Sequence, residues 1–124
     1  MALLGLAFKS GTRDTRQSPA VALAAQLQER GYVVKAYDPM VRGVVEGADG
    51  LVGEMKIDIA VDGADAAVIA TEWPEFASLD LEWLRQRMRG DVVLDGRCIL
   101  DPARVTRAGF RYFGVCPPAP STVD

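Results

Sequence analysis

The N-terminal part of the chain follows a strand–helix–strand pattern, which restricts the possible folds more than any other feature of the sequence. Residues 2–8 (ALLGLAF) are continuously apolar, as expected of a strand buried on both faces. Residues 18–31 predict a helix, since Ser18 is a favourable N-cap and Pro19 suits the first helical position. Residues 32–39 (YVVKAYDP) predict a second strand that stops at its proline. The three segments together predict a right-handed βαβ unit.

The remainder of the chain continues to alternate between strands and helices. With helices at 79–88 and 101–109, further strands are predicted at 66–72 (AAVIATE), 91–97 (DVVLDGR) and 110–115 (FRYFGV). Residues 40–57 have no clear period and predict a loop with one short helix, residues 58–65 predict a helical turn, and residues 73–76 (WPEF) predict a turn. The fold class is therefore α/β, a Rossmann-like three-layer sandwich around a mainly parallel sheet of about five strands.

Composition limits the class of protein. The chain has 124 residues, of which 49% are hydrophobic, and this suits one folded domain, which we assign to residues 1–116 with a flexible Pro-rich tail at 117–124. The net charge of −3 argues against general binding to nucleic acid or anionic membranes. Because histidine is absent from the sequence, we predict neither a metal site nor a His-based triad. With no bilayer-length apolar run and no recognisable signal peptide, we expect a cytoplasmic location.

The loop GLAFKSGTRDTRQSP, at residues 5–19, is the strongest candidate site. In doubly wound sheets, ligands bind beyond the carboxyl ends of the strands, so this loop should open onto the binding edge. Its small residues do not have the spacing of a dinucleotide fingerprint, but it carries Lys9, Arg13 and Arg16 beside a helix N-terminus. These features predict a pyrophosphate site. The alternative is a solvated loop in which Asp14 or Thr15 caps the helix and the arginines pair with nearby carboxylates.

Two other strand ends should reach the same edge. The segment Asp95-Gly96-Arg97 would project Arg97 over the edge that carries Lys9, although Arg97 could instead pair with Asp95 or Asp101. Trp73 could stack on a base, but we favour a role in covering the end of the sheet. Cys98 has no histidine to activate it, so we predict a packed structural thiol.

Five motifs in this order resemble the C-terminal domain of the UDP-glucose/GDP-mannose dehydrogenases: GLAFKSGTRDTRQSP, YDP, ADAAVIATEWPEF, DGR and GFRYFGV. The resemblance runs from residue 3 to about residue 115. It implies an enzyme that oxidises the primary alcohol of a nucleotide sugar to a carboxylate and reduces NAD. It also implies that Phe8, Lys9 and Arg97 bind the substrate, a UDP-sugar by family frequency, and that Arg16 approaches the NAD.

The resemblance also identifies what this sequence does not contain. The family's NAD-binding N-terminal domain, central helical domain and catalytic cysteine precede the matching region, and neither Cys98 nor Cys116 lies in a matching motif. We therefore expect no catalytic residue here, no dehydrogenase activity from the chain alone, and a monomer, since the dimerising helix is missing. The alternatives are a free-standing nucleotide-sugar sensor and a remnant domain that binds nothing.

Overall fold

A single sheet with helices on both faces forms the structure. The computed structural model describes residues 1–7, 15 and 18–114, and within them the sheet has seven strands. The strands are β1 (Ala2–Leu4), β2 (Lys35–Tyr37), β3 (Gly43–Val44), β4 (Val52–Glu54), β5 (Ala66–Ile69), β6 (Val92–Asp95) and β7 (Arg111–Gly114). The helices are α1 (Pro19–Glu29), α2 (Ile57–Val61), α3 (Pro74–Ala77), α4 (Leu81–Arg87) and α5 (Pro102–Arg107).

The strand order defines where a ligand would bind. Across the sheet the order is β3-β4-β2-β1-β5-β6-β7, and every neighbouring pair is parallel except β3 with β4. With β3 set aside, the six parallel strands have the 3-2-1-4-5-6 order of a doubly wound dinucleotide-binding fold. The direction of winding reverses between β1 and β5. The carboxyl ends of these two strands therefore border the crevice in which such folds bind their ligands.

Alternating side chains of the central strand join the two layers of helices to the sheet. Leu3 and Leu4 are both fully buried, but Leu3 belongs to the cluster under α1 with Ala24, whereas Leu4 packs with Leu84 and Val105 from the opposite layer. Burial of each leucine side chain contributes about 1.5–3 kcal/mol. Covering both faces explains why the central strands are continuously apolar in sequence.

The segment 40–57 differs from its prediction. Instead of a loop with one short helix it forms the antiparallel pair β3 and β4, and β4 also pairs with β2, which raises the strand count above the expected five. Gly53 lies so close to the backbone carbonyl of Val41 that a Cβ would collide with it. Glycine is therefore required by close packing, and the short strands around it leave no periodic pattern. Residues 73–76 also differ, because Trp73 caps the short helix α3 and the next three residues belong to it rather than to a simple turn.

Candidate functional site at the carboxyl edge of the sheet

A buried carboxylate at the end of β2 holds the backbone that enters the first loop. Asp38 is fully buried, and its Oδ2 accepts hydrogen bonds from the backbone N–H of Leu6 at 2.7 Å and of Ala7 at 2.9 Å. The same oxygen accepts from the indole Nε1 of Trp73 at 3.0 Å, while Oδ1 accepts from the N–H of Met40 at 2.8 Å. One side chain thus joins the ends of β1, β2 and β5.

The ends of β1 and β5 are packed closely against each other. The hydroxyl of Thr71, a buried residue just after β5, donates to the carbonyl of Ala7 at 3.0 Å. Gly5 has φ +108°, and a Cβ on it would lie 2.5 Å from the Cβ of Thr71. A glycine is needed here on both counts, because other residues disfavour this φ and their side chains would collide. The backbone up to Ala7 is therefore fixed at the crevice.

The N-terminus of α1 has few backbone N–H groups left to bind an anion. Pro19 has no N–H, the Ser18 hydroxyl accepts from the N–H of Ala20 at 3.2 Å, and the Ser18 carbonyl accepts from Ala22 at 3.2 Å. The Ser18 hydroxyl also donates to the carbonyl of Leu6 at 2.7 Å. Most first-turn donors that would cradle a phosphate are thus already used or missing. Within the described residues, the start of α1 therefore gives an anion few backbone partners.

A second buried carboxylate, at the end of β6, folds the turn that carries Arg97. Asp95 Oδ1 accepts from the backbone N–H of Arg97 at 3.1 Å and of Cys98 at 2.8 Å. Its Oδ2 accepts from the N–H of Leu100 and from the hydroxyl of Tyr112, both at 2.9 Å. Burial, followed by the hydrogen bond to Asp95, raises the pKa of the Tyr112 hydroxyl to about 12. The backbone of Arg97 is therefore fixed at the carboxyl edge.

The side chain of Arg97 reaches toward the neighbouring strand. Its guanidinium Nη2 forms an ion pair with the carboxylate of Glu72, which follows β5 directly after Thr71. The two side chains are 41% and 31% exposed, so the guanidinium remains accessible to solvent. The expected alternatives were Asp95 and Asp101. Asp95 instead binds the backbone of Arg97, and the sequence reasoning missed Glu72.

Two other candidates now have defined roles. Trp73 packs against the core and donates its indole N–H to Asp38, so it covers the end of the sheet, as predicted. Cys98 is disulfide-bonded, so the prediction of a free packed thiol is wrong. Its φ of +62° is an uncommon conformation for a side-chain-bearing residue, and the hydrogen bond from its N–H to Asp95 belongs to the same turn.

Three predicted site residues, Phe8, Lys9 and Arg16, lie outside the described residues, so the convergence of Lys9 with Arg97 and the roles of Phe8 and Arg16 stay predictions. A groove of about 530 Å³ has Thr15 in its lining, and its Arg42 is a cation that the sequence reasoning did not select. It is lined by Thr15, Met40, Val41, Arg42, Val44, Val45 and Glu46. A second groove of about 540 Å³ lies between the start of α4 and the end of α5 and contains no strand-end residue.

The described part of the chain has neither a cluster of metal-ligating side chains nor a membrane-spanning helix. No group of three or more His, Cys, Asp or Glu residues among residues 1–7, 15 and 18–114 is placed to hold a metal ion. None of the described helices is long and apolar enough to cross a membrane.

The strand order and the crevice at β1 and β5 define a nucleotide-binding type of α/β domain. A more specific assignment comes from the amino-acid sequence. Residues 2–102 match the model of the UDP-glucose/GDP-mannose dehydrogenase family, UDP binding domain. The chain belongs to this family.

Individual relatives agree with the family assignment. The chain is 38% identical over 122 residues to the UDP-glucose 6-dehydrogenase of Pseudomonas aeruginosa, a match that covers 93% of this chain and 27% of the relative. The solved NDP-N-acetyl-D-galactosaminuronic acid dehydrogenase of Methanosarcina mazei superposes with a TM-score of 0.83 at 27% identity, covering 92% of this chain and 24% of that one. For the UDP-D-ManNAc dehydrogenase of Pyrococcus horikoshii the TM-score is 0.76 at 38% identity, covering 91% and 24%. The chain spans about a quarter of the length of these relatives.

Proposed function

We propose that this domain binds the diphosphate of a UDP-sugar at the carboxyl edge of its sheet, as one part of an NAD-dependent UDP-glucose 6-dehydrogenase. The observation that carries the proposal is the placement of Arg97. Its backbone is fixed by Asp95, and its guanidinium lies partly exposed beside Glu72, next to the β1–β5 crevice. A planar guanidinium suits a diphosphate because it can donate two parallel hydrogen bonds to phosphate oxygens.

Lys9 supplies the second positive charge in this proposal. It follows Ala7 by two residues, and Ala7 is held at the crevice by Thr71 and Asp38. Phe8 contacts the same substrate, and Arg16 faces the NAD. Because Ser18 and Pro19 leave few donors at the start of α1, cations replace the helix terminus as the partners of the diphosphate.

The other parts of the reaction belong to other domains. NAD supplies the hydride acceptor when it is bound, but the described residues do not build a dinucleotide site, since the first turn of α1 is capped by its own chain. We assign NAD to an N-terminal domain joined through a central helical domain. Cys98 is disulfide-bonded and cannot act as a thiolate, so we assign no catalytic residue here and expect no turnover from this chain alone.

The extent and location of the domain also remain proposals. We assign nucleotide-sugar binding to residues 1–116, and the tail at 117–124 falls outside the described residues. The location in the cytoplasm stays a prediction from the sequence.

Calorimetric titration of the chain with UDP-glucose tests the proposal. We expect saturable binding that Arg97→Ala weakens at least about tenfold, since a charge-assisted contact contributes roughly 1.5–3 kcal/mol. Arg111→Ala is the matched control, because Arg111 pairs with Asp91 at 2.9 Å at the opposite edge of the sheet. We expect that variant to bind as the wild type does. Absence of saturable binding would favour the non-binding remnant, and equal effects of the two variants would refute the site.

A further inference from the structure

Arg97 is paired with a carboxylate at the place where the proposed ligand brings a diphosphate. Two opposite roles are compatible with such a pair: Glu72 could compete with the ligand for the guanidinium, or it could hold the guanidinium ready for it. We propose the second, that Glu72 is a positioning residue which orients Arg97 toward the β1–β5 crevice before ligand binds. The inference rests on the proposed function, since it concerns the same diphosphate site.

Glu72 itself is held on both sides. The residue before it, Thr71, is buried and bonded to the carbonyl of Ala7 at 3.0 Å. The residue after it, Trp73, donates its backbone N–H to the Thr71 carbonyl and its indole N–H to Asp38, both at 3.0 Å. The backbone of Glu72 therefore cannot follow a moving arginine. Its shorter side chain therefore presents a carboxylate to Arg97 from a fixed backbone position at the end of β5.

Arg97 needs such an acceptor because only its backbone is fixed by Asp95. Its long side chain is 41% exposed, and a free arginine side chain in that environment samples many rotamers. A ligand would have to order it on binding, which weakens affinity. The pair with Glu72 orders the side chain in advance. A guanidinium has five N–H donors, so donors remain for a diphosphate beside the carboxylate.

The two roles predict opposite changes in the affinity for a diphosphate when the Glu72 carboxylate is removed. Removing the Glu72 carboxylate makes the edge more positive by one charge, so competition or simple electrostatics predicts tighter binding of a diphosphate. Loss of positioning predicts weaker binding. Glu72→Gln separates the contributions further, because glutamine lacks the charge but retains an oxygen that accepts a hydrogen bond.

The ¹⁵N heteronuclear Overhauser effect of the Arg97 Nε–H, recorded by NMR, measures how ordered this side chain is in the absence of ligand. We expect Glu72→Ala to lower that order strongly, Glu72→Gln to retain part of it, and Asp91→Ala to leave it unchanged. Asp91 is the matched control, because it forms an ion pair with Arg111 at the amino ends of β6 and β7, on the opposite side of the sheet from Arg97. Calorimetry of the same variants with UDP-glucose should show affinity reduced about 2- to 12-fold by Glu72→Ala and less by Glu72→Gln.

Unchanged Arg97 order in Glu72→Ala would overturn the inference, as would equal or tighter binding of UDP-glucose by that variant. The proposed function fails separately, if the wild-type chain does not bind UDP-glucose at all. In that case the order of the Arg97 side chain still decides whether Glu72 positions it.

Discussion

Two fully buried carboxylates, Asp38 at the end of β2 and Asp95 at the end of β6, hold different parts of the carboxyl edge. Asp38 accepts from donors up to 35 residues away in sequence, at the ends of β1 and β5. Asp95 accepts three of its hydrogen bonds from residues two to five positions further along its own turn. Asp38 therefore stabilises the tertiary arrangement of strand ends, whereas Asp95 stabilises mainly one local turn.

Under the proposed function, Asp38 and Asp95 support different parts of the diphosphate site. The Asp38 cluster fixes where the first loop leaves the sheet, and the Asp95 turn fixes where Arg97 starts. The diphosphate site then depends on two supports that can be disrupted separately. Loss of the first should unfold the edge, while loss of the second should mainly release Arg97.

The largest expected effect is that of Asp38→Ala. The substitution leaves donors from Leu6, Ala7, Met40 and Trp73 without their acceptor, and a buried unsatisfied donor costs about 1–3 kcal/mol. Because the edge will partly relax, we expect the free energy of unfolding to fall by about 3–5 kcal/mol in urea denaturation.

Asp95→Ala should lower the free energy of unfolding by about 2–3 kcal/mol, since its turn can open toward water. An equal or larger loss from Asp95→Ala would contradict the proposed contrast.

Gly5→Ala tests the packing beside Asp38 without removing a hydrogen bond. Gly5 has φ +108°, and the Cβ of an alanine there would lie 2.5 Å from the Cβ of Thr71, so we expect a loss of about 2–4 kcal/mol from strain and overpacking together. Gly63→Ala is the control, because Gly63 has φ +72° but open space around it. That variant should lose only about 1–2 kcal/mol. Thermal or urea unfolding that shows equal losses would mean that the β1–β5 contact is not tight.

Trp73→Phe removes one donor from the Asp38 cluster and keeps an aromatic ring. We expect the free energy of unfolding to fall by about 1 kcal/mol, because Asp38 retains its three backbone donors. Trp83→Phe serves as control, since Trp83 contributes an aromatic face 5.5 Å from the Arg87 guanidinium rather than a hydrogen bond to a buried carboxylate. Urea denaturation should show the smaller loss in the control. The opposite ranking would show that Trp73 acts only through packing.

A remaining effect is seen only in alkaline solution and concerns the Asp95 support. The pKa of Tyr112 is about 12 in the folded chain against 10.0 for an unperturbed tyrosine. Between these values the unfolded chain has released the proton and the folded chain has kept it, so stability falls as pH rises from about 10 to about 12. Tyr112→Phe should be less stable below pH 10 and should lose less stability over that range. Parallel pH profiles of wild type and variant would contradict this role.

Much of the fold was predictable because it depends on local patterns. The apolar runs predicted the parallel strands, and Ser18 with Pro19 predicted the start of α1 at the residue where the structure has it. Residues 40–57 were mispredicted because β4 forms by pairing with β2, and Gly53 is there for a close backbone contact rather than for a turn. Such pairing leaves no periodic signal in strands of two or three residues.

The site was only partly predictable, for a physical reason. The rule for doubly wound sheets placed the ends of β1, β5 and β6 on one edge, which the strand order confirms. Partner choice at that edge depends on which strands are neighbours. Glu72 pairs with Arg97 because β5 and β6 are adjacent in parallel register, and Asp38 receives Trp73 across the end of β1. The sequence alone does not show that either of these two pairs is close in space.

Backbone amide chemical shifts recorded during titration with UDP-glucose show whether the diphosphate binds at the carboxyl edge of the sheet. We expect the largest perturbations at Ala7, Thr71 and Arg97, and we expect them to saturate together. Perturbations concentrated in the second groove, which Asp80 and Arg104 line between the start of α4 and the end of α5, or at the opposite edge around Asp91 and Arg111, would contradict the proposed site.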